Sequence, residues 1–287
     1  MISASEKRRR FRELIAGPEV FPAVGCCDVM SCRLVQHVGL PAIHASGSAA
    51  HRSRGMADAG LLDMTEMVNH LRYLCDGTDL PVIGDADTGF GNVVNVVRTV
   101  REYERAGAAA MHIEDQLTPK RPMHSGFEGA FISRQEMVDK IKAAADTRTD
   151  ENFVIIARCD VTDAQEKIER ANACLQAGAD MAWIGGRSAE GIRAFVDGLP
   201  KGTPCVGVLP AGMSLAEFGA AGARCALIVG SMQVAQLAAQ LQLLLALKET
   251  GNPRTYLDSA PGAKEMGPFF NEQGTAEVRD IETRYGG

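Results

Sequence analysis

The chain has no excess of positive charge. Its 30 Lys and Arg residues face 36 Asp and Glu, a formal net charge of −6. A general nucleic-acid binder would show a basic excess or stripe, so no nucleic-acid partner is expected. The single basic cluster, Lys7, Arg8, Arg9, Arg10 and Arg12, is short, lies at one end and reads as a solvated helix face. The eight cysteines show no Cys-x-x-Cys spacing and no histidine at zinc-finger distance, so they read as reduced, mostly buried thiols. No apolar stretch follows the basic N-terminus, which argues against a secretory signal. The longest apolar segment, residues 232–247, is interrupted by Gln233, Gln236, Gln240 and Gln242 and is shorter than the about 20 residues a bilayer requires. A cytoplasmic protein with no membrane partner is the expectation. Aromatic residues are scarce at 5%, against 30 glycines, a balance suited to alternating α/β folds, which place glycine at helix ends.

Short apolar runs alternate with longer helical patterns. The runs at 21–24, 42–45, 82–86, 110–113, 154–157, 181–184, 205–209 and 226–229 read as strands. Between them, Val94, Val97, Val100 and Tyr103 mark one helical face over 92–106. Met137, Ile141 and Ala144 mark another after Ser133, with Glu136 as a capping-box partner. Ala106-Gly107-Ala108, Ala177-Gly178-Ala179 and Ala221-Gly222-Ala223 each end a helix just before a strand. Strands that are apolar throughout and separated by helices indicate a parallel sheet covered on both faces. Eight of them favour a closed (β/α)8 TIM barrel over an open doubly wound sheet, and no Gly-rich dinucleotide fingerprint follows the first strand. We expect one domain over 1–287, with a barrel core at 18–250, an N-terminal helix before Glu19 and a C-terminal helical extension at 251–287.

In such a barrel the chemistry sits at the C-terminal strand ends. Those ends carry Ser46-Gly47-Ser48, Asp85-Ala86-Asp87-Thr88-Gly89, His112-Ile113-Glu114-Asp115 and Arg158-Cys159-Asp160. Asp85 and Asp87, two apart on a strand, should leave the same face, and Glu114 ends the neighbouring strand. Carboxylates brought together without intervening lysines raise each other's pKa unless a cation offsets them. A hard divalent ion with oxygen ligands, Mg²⁺ above all, is the economical solution, with Mn²⁺ a substitute. The plainer alternative has Asp87 capping the next helix while Asp85 and Glu114 face solvent. Arg158 is a fork suited to a substrate carboxylate or phosphonate, or a barrel-end salt bridge. Lys120 lies in a Pro- and Gly-bearing loop, 118–126, that could close over an anion or be a solvated loop. His112 and His124 are candidate proton carriers, although strand-end histidines are often structural, and His44 reads as core. Ser46, Gly47 and Ser48 could offer N–H and hydroxyl groups to an anion, or form only a tight turn. Asp58 could stand near the metal or be a turn residue.

Asp85-Ala-Asp-Thr-Gly-Phe-Gly91, the segment from Asn95 to Gly107, and His112-Ile-Glu-Asp-Gln116 with Pro119-Lys120 resemble the isocitrate lyase/phosphoenolpyruvate mutase superfamily over most of the chain. The resemblance implies a modified, helix-swapped (β/α)8 barrel and a homotetramer built as a dimer of dimers. It implies Mg²⁺ at Asp85 and Asp87, with Glu114 reaching it directly or through water and Asp58 nearby. It assigns substrate oxyacid groups to Ser46, Gly47, Ser48 and Arg158, with His112 beside them, and a gating loop opened by Lys120. Its catalytic set would be Asp58, Lys120, His124 and Arg158. The sequence departs from the lyase pattern at several points. Where those lyases carry Lys-Arg-Cys-Gly-His the chain reads Lys120-Arg121-Pro122-Met123-His124, so no thiol can serve as the acid. The Asn-Ser pair of phosphonate-forming mutases is also missing. Gly185-Gly186 stands where lyases present a Glu, Leu209-Pro210-Ala211-Gly212 where they have an Asn-containing segment, and Cys159 where Thr is common.

The leading expectation is a Mg²⁺-dependent carbon–carbon lyase or decarboxylase acting on a small 2-oxo or 2-hydroxy dicarboxylic acid through a metal-stabilised enolate. Oxaloacetate decarboxylation is favoured because it needs no thiol acid. The alternatives are a phosphonomutase or phosphonopyruvate hydrolase acting on a P–C bond, and a non-catalytic barrel that binds metal and carboxylate.

Overall fold

The computed structural model describes residues 2–121 and 130–286. The chain divides into two compact units, residues 1–232 and 233–287. In the first, β1 (Phe21–Cys26), β2 (Ala42–Ala45), β3 (Val82–Asp85), β4 (Ala110–Glu114), β5 (Val154–Arg158), β6 (Met181–Trp183), β7 (Cys205–Val208) and β8 (Cys225–Ile228) pair in parallel in chain order. β8 returns to β1 and closes the barrel. Helices α1 (Ala4–Ala16), α2 (Val29–His37), α3 (Gly47–Ser53), α4 (Met64–Asp76), α5 (Val93–Arg105), α6 (Arg134–Thr147), α7 (Ala164–Gln176), α8 (Ala189–Asp197) and α9 (Leu215–Ala220) belong to this unit, and α10 (Ser231–Thr250) begins at its end.

Strand alternation builds two apolar layers. Ala23, Ile83, Val154, Ile156, Met181, Val206 and Leu227 pack together inside the barrel. The intervening residues Ile43, Val82, Met111 and Ile155 pack outward with Leu71, Val100 and Ile141 of the helices. This is why the strands are apolar throughout, each fully buried Val or Ile contributing roughly 1.5–3 kcal/mol. The expected Gly junctions hold. Gly178 has φ +109°, and a Cβ there would meet that of Ala145 at 2.7 Å. None of the eight cysteines forms a disulfide, and all except Cys27 are buried.

Two local readings are corrected. On α5 the buried face runs through Val96, Thr99, Val100 and Tyr103, whereas Val94 is 73% exposed. Steps of three alone drift off a 3.6-residue turn, so a face needs mixed steps of three and four. The basic cluster on α1 is not wholly solvated. Lys7 and Arg8 are buried. Lys7 Nζ donates to the Cys75 carbonyl at 2.7 Å. Arg8 donates to the carbonyls of Ala108 (2.9 Å) and Glu104 (2.6 Å) and to Asp150 (3.0 Å). These cations serve carbonyls at the last turns of α4 and α5, at the end of the barrel opposite the strand C-termini, Glu104 O accepting from Gly107 N as well. Phe11 packs edge-on against Phe21 with centroids 6.0 Å apart.

The second unit contains the rest of α10, then α11 (Arg254–Leu257), α12 (Ala263–Glu272) and α13 (Thr275–Tyr285). Val234, Leu237, Leu241, Leu244 and Leu245 of α10 are exposed. Among the described residues no helix is long and apolar enough to cross a membrane.

Candidate active site

At the end of β2, Ser46 caps α3, its Oγ accepting from Ala49 N at 3.4 Å. Gly47 N donates to Asp85 Oδ2 at 2.9 Å, and a Cβ on residue 47 would lie 2.9 Å from that oxygen. Only glycine lets the start of α3 sit so close to the acid. Ser48 is half-buried in the first turn. Asp85 also accepts from Asp87 N through Oδ1 at 3.1 Å. Behind it, the buried Tyr103 hydroxyl donates to the Asp85 carbonyl at 2.6 Å.

Asp87 does not share a strand face with Asp85. β3 stops at Asp85, and Asp87 has φ +46°, a left-handed turn that costs a non-glycine residue about 1–3 kcal/mol. Nor does Asp87 cap α5, since that role falls to Asn92. The turn instead presents Asp87 to Lys120, whose ammonium contacts Asp87 Oδ1 closely and lies 2.8 Å from Asp58 Oδ1. The turn at Asp87 is tied to the Lys120 segment by Thr88 and Thr118, whose hydroxyls are 2.5 Å apart. The buried Lys140 of α6 donates to the Thr88 carbonyl at 3.1 Å.

On β4 and β5, Glu114 and Arg158 are register partners. Arg158 Nη1 lies 2.9 Å from Glu114 Oε2 and Nη2 lies 2.8 Å from Asp160 Oδ2. Arg158 thus forms the barrel-end salt bridge and still keeps 22% of its side chain exposed. Its guanidinium stands 4.6 Å over the Trp183 ring, which lies 4.9 Å from His112. His112 Nδ1 is 3.6 Å from Asp85 Oδ1, and its Nε2 shares a 3.0 Å hydrogen bond with His44 Nε2.

Burial sets the titration of these groups. It pushes His44 down to about 4 and His112 to about 3, so both are neutral imidazoles at neutral pH. It pushes Glu114 up to about 8 in spite of Arg158 and Lys120, and it raises Asp87, with nearby Asp85 adding to the effect against the pull of Lys120. Asp85 is buried too, but the surrounding positive charge, Lys120 and Arg158 included, holds it well below the carboxylate range. Burial opposes the charged form of Lys120, yet the acids around it keep it an ammonium.

The carboxyl groups of Asp58, Asp85, Asp87, Glu114 and Asp160 outnumber Lys120 and Arg158. Among the described residues, Asp87 Oδ2 and Glu114 Oε1 are buried without a hydrogen-bond partner. His44, Asp85 and His112 bring ligand atoms within 4.8 Å of one another and could hold a metal ion. Unpartnered buried carboxylate oxygens beside Asp85 fit a further, hard cation.

Asp58, Asp85, Asp87, Glu114, Lys120, Arg158 and His112 are therefore brought together, with Ser46 and Gly47 against them, while His124 lies outside the described residues. Sequence reasoning missed Trp183, hidden in an apolar run although it is the only tryptophan. It also missed the roles of Asp160, two residues beyond Arg158, and of Lys140.

A family model described as phosphoenolpyruvate phosphomutase matches residues 11–247. The 2,3-dimethylmalate lyase of Eubacterium barkeri is 35% identical over 96% of this chain and 97% of its own. The structure of phosphoenolpyruvate phosphomutase from Streptomyces platensis subsp. rosaceus superposes with TM-score 0.90 at 30% identity, over 97% of this chain and 99% of that one. That of phosphonopyruvate hydrolase complexed with oxalate and Mg²⁺ gives 0.87 at 28%, over 97% and 99%. Fold and site thus define an enzyme of the lyase and mutase class. The chain belongs to the isocitrate lyase/phosphoenolpyruvate mutase superfamily.

Proposed function

We propose that this chain is a cytoplasmic Mg²⁺-dependent carbon–carbon lyase acting on a small 2-oxo or 2-hydroxy dicarboxylate, with oxaloacetate decarboxylation the favoured reaction. The observation that carries the reading is the pair of buried oxygens without partners among the described residues, Asp87 Oδ2 and Glu114 Oε1, in a site where acids outnumber Lys120 and Arg158. Asp85, Asp87 and Glu114 would hold the ion, Mg²⁺ or in its place Mn²⁺. The bound ion would supply positive charge against an enolate as it develops.

The remaining work falls to the chain's own groups. Arg158 is fixed by Glu114, Asp160 and the Trp183 face, and its exposed edge would clamp the substrate's first carboxylate. Gly47 N–H and Ser46 Oγ are engaged by Asp85 and Ala49 N; they would shape the site, leaving the Ser48 hydroxyl to contact substrate. Lys120 would keep Asp58 and Asp87 together. With oxaloacetate the C3–C4 bond breaks, CO₂ leaves with C4, and the electron pair passes to the pyruvate enolate, which takes a proton from water or His124. No thiol is needed, in keeping with Pro122 and Met123 in the loop.

A second reading, cleavage or rearrangement of a P–C bond, is favoured by the near-complete superposition on the mutase and hydrolase above. A panel of oxaloacetate, 2,3-dimethylmalate, other 2-oxo and 2-hydroxy acids and phosphonopyruvate separates the two. A coupled pyruvate assay and phosphorus NMR would read it. Pyruvate from a dicarboxylate supports the first reading, and turnover of phosphonopyruvate alone replaces it with the second. The exposed leucines of α10 support a helix-swapped homotetramer, since such apolar surface is covered in most soluble proteins.

A further inference from the structure

Gly185 lies two residues beyond Trp183, the last residue of β6, at the mouth end of the barrel. A Cβ at this position would stand 2.2 Å from Cδ, 3.1 Å from Cε and 3.0 Å from Nζ of Lys167. The lysine therefore lies across a stretch after β6 where Gly185 carries no side chain. Lys167 sits in the first turn and a half of α7, where the helix N-terminus disfavours a cation. Among the described residues its ammonium makes no ion pair or hydrogen bond. It is close enough to Asp160 to help hold that carboxyl low, after burial and the stronger contribution of Arg158. Arg158, 2.8 Å from Asp160 Oδ2, and Lys167 thus both act on the Asp160 carboxyl, which places the two cations by the ends of β5 and β6.

We propose that Lys167 binds the far carboxylate of the substrate, and that Gly185 is glycine so that the lysine can cross the end of β6. The inference rests on the dicarboxylate reading above and makes it more specific: Arg158 takes the carboxylate beside the reacting carbon, Lys167 the one at the other end.

The test is calorimetric binding of two probes to the full chain with Mg²⁺: oxalate, which matches only the 2-oxo acid end of a substrate, and malate, which adds a far carboxylate. Lys167→Met should weaken malate about tenfold or more, as loss of a charge-assisted hydrogen bond implies, and leave oxalate within about twofold. Lys167→Arg should restore malate binding. Gly185→Ala, which pushes the lysine aside, should reproduce the Met variant, and unchanged thermal melting would verify folding. Equal loss of both probes would make Lys167 a support for Asp160 and Arg158 and overturn the proposal, as would no loss of either. If the wild type binds neither probe, the dicarboxylate reading itself fails and takes this inference with it.

Discussion

Arg158 Nη1 lies 2.9 Å from Glu114 Oε2 across the β4–β5 register pair, while Glu114 Oε1 has no hydrogen-bond partner among the described residues. Removing one member of a buried ion pair strands the other's charge. Above about pH 8, where Glu114 is charged, Arg158→Met should therefore destabilise the fold by about 3 kcal/mol, and adding Glu114→Gln should recover part of that loss. Urea denaturation of the single and double variants checks this. A Met variant as stable as the wild type would show that the pair does not anchor the strand ends.

Metal loading should depend on pH through Glu114. Its folded pKa is about 8 against an ordinary 4.5, so between those values the metal-free fold holds a proton that the unfolded chain has released. Stability of the metal-free protein then falls as pH rises through that window. A cation at Glu114 displaces the proton, so Mg²⁺ affinity should rise from about pH 6 to about pH 8, and calorimetry in buffers of different ionisation enthalpy should detect proton release. Affinity that is flat across this range would contradict the assignment of Glu114.

Arg8 and the site lie at opposite ends of the barrel. Arg8→Met strands the carbonyl of Ala108 and removes the ion partner of Asp150, and a loss of about 2–3 kcal/mol is expected. Turnover per folded molecule should not change. Thermal melting and active-site titration separate the two effects.

Much of the barrel was legible because each strand is buried on both faces, which leaves a run such as Val154-Ile155-Ile156-Ala157 without polar interruption. The acids and Arg158 were legible because charge at the end of such a run has no structural reason to recur on neighbouring strands. Other features depend on packing that no local pattern records. Asp87 leaves the strand because of a left-handed turn at a non-glycine residue. Lys7 and Arg8 look like solvent-facing charge until α4 and α5 present their carbonyl ends. Trp183 is apolar by composition, and its contact with Arg158 exists only once β5 and β6 are adjacent.

Trp183 also reports on the site. It is the only indole, 4.6 Å from the Arg158 guanidinium. A carboxylate drawn to Arg158 should change its emission, and oxalate should do so saturably in the presence of Mg²⁺. An emission spectrum unmoved by any site ligand would place ligand binding away from Arg158.

Metal dependence of turnover is the most direct test of the central claim. Pyruvate release from oxaloacetate and related dicarboxylates should stop on chelation, return with Mg²⁺ or Mn²⁺, and be absent in Asp87→Asn, a variant that keeps the size of the side chain but not its charge. Turnover that survives both chelation and Asp87→Asn, or no metal-dependent turnover of any 2-oxo or 2-hydroxy dicarboxylate, would contradict it.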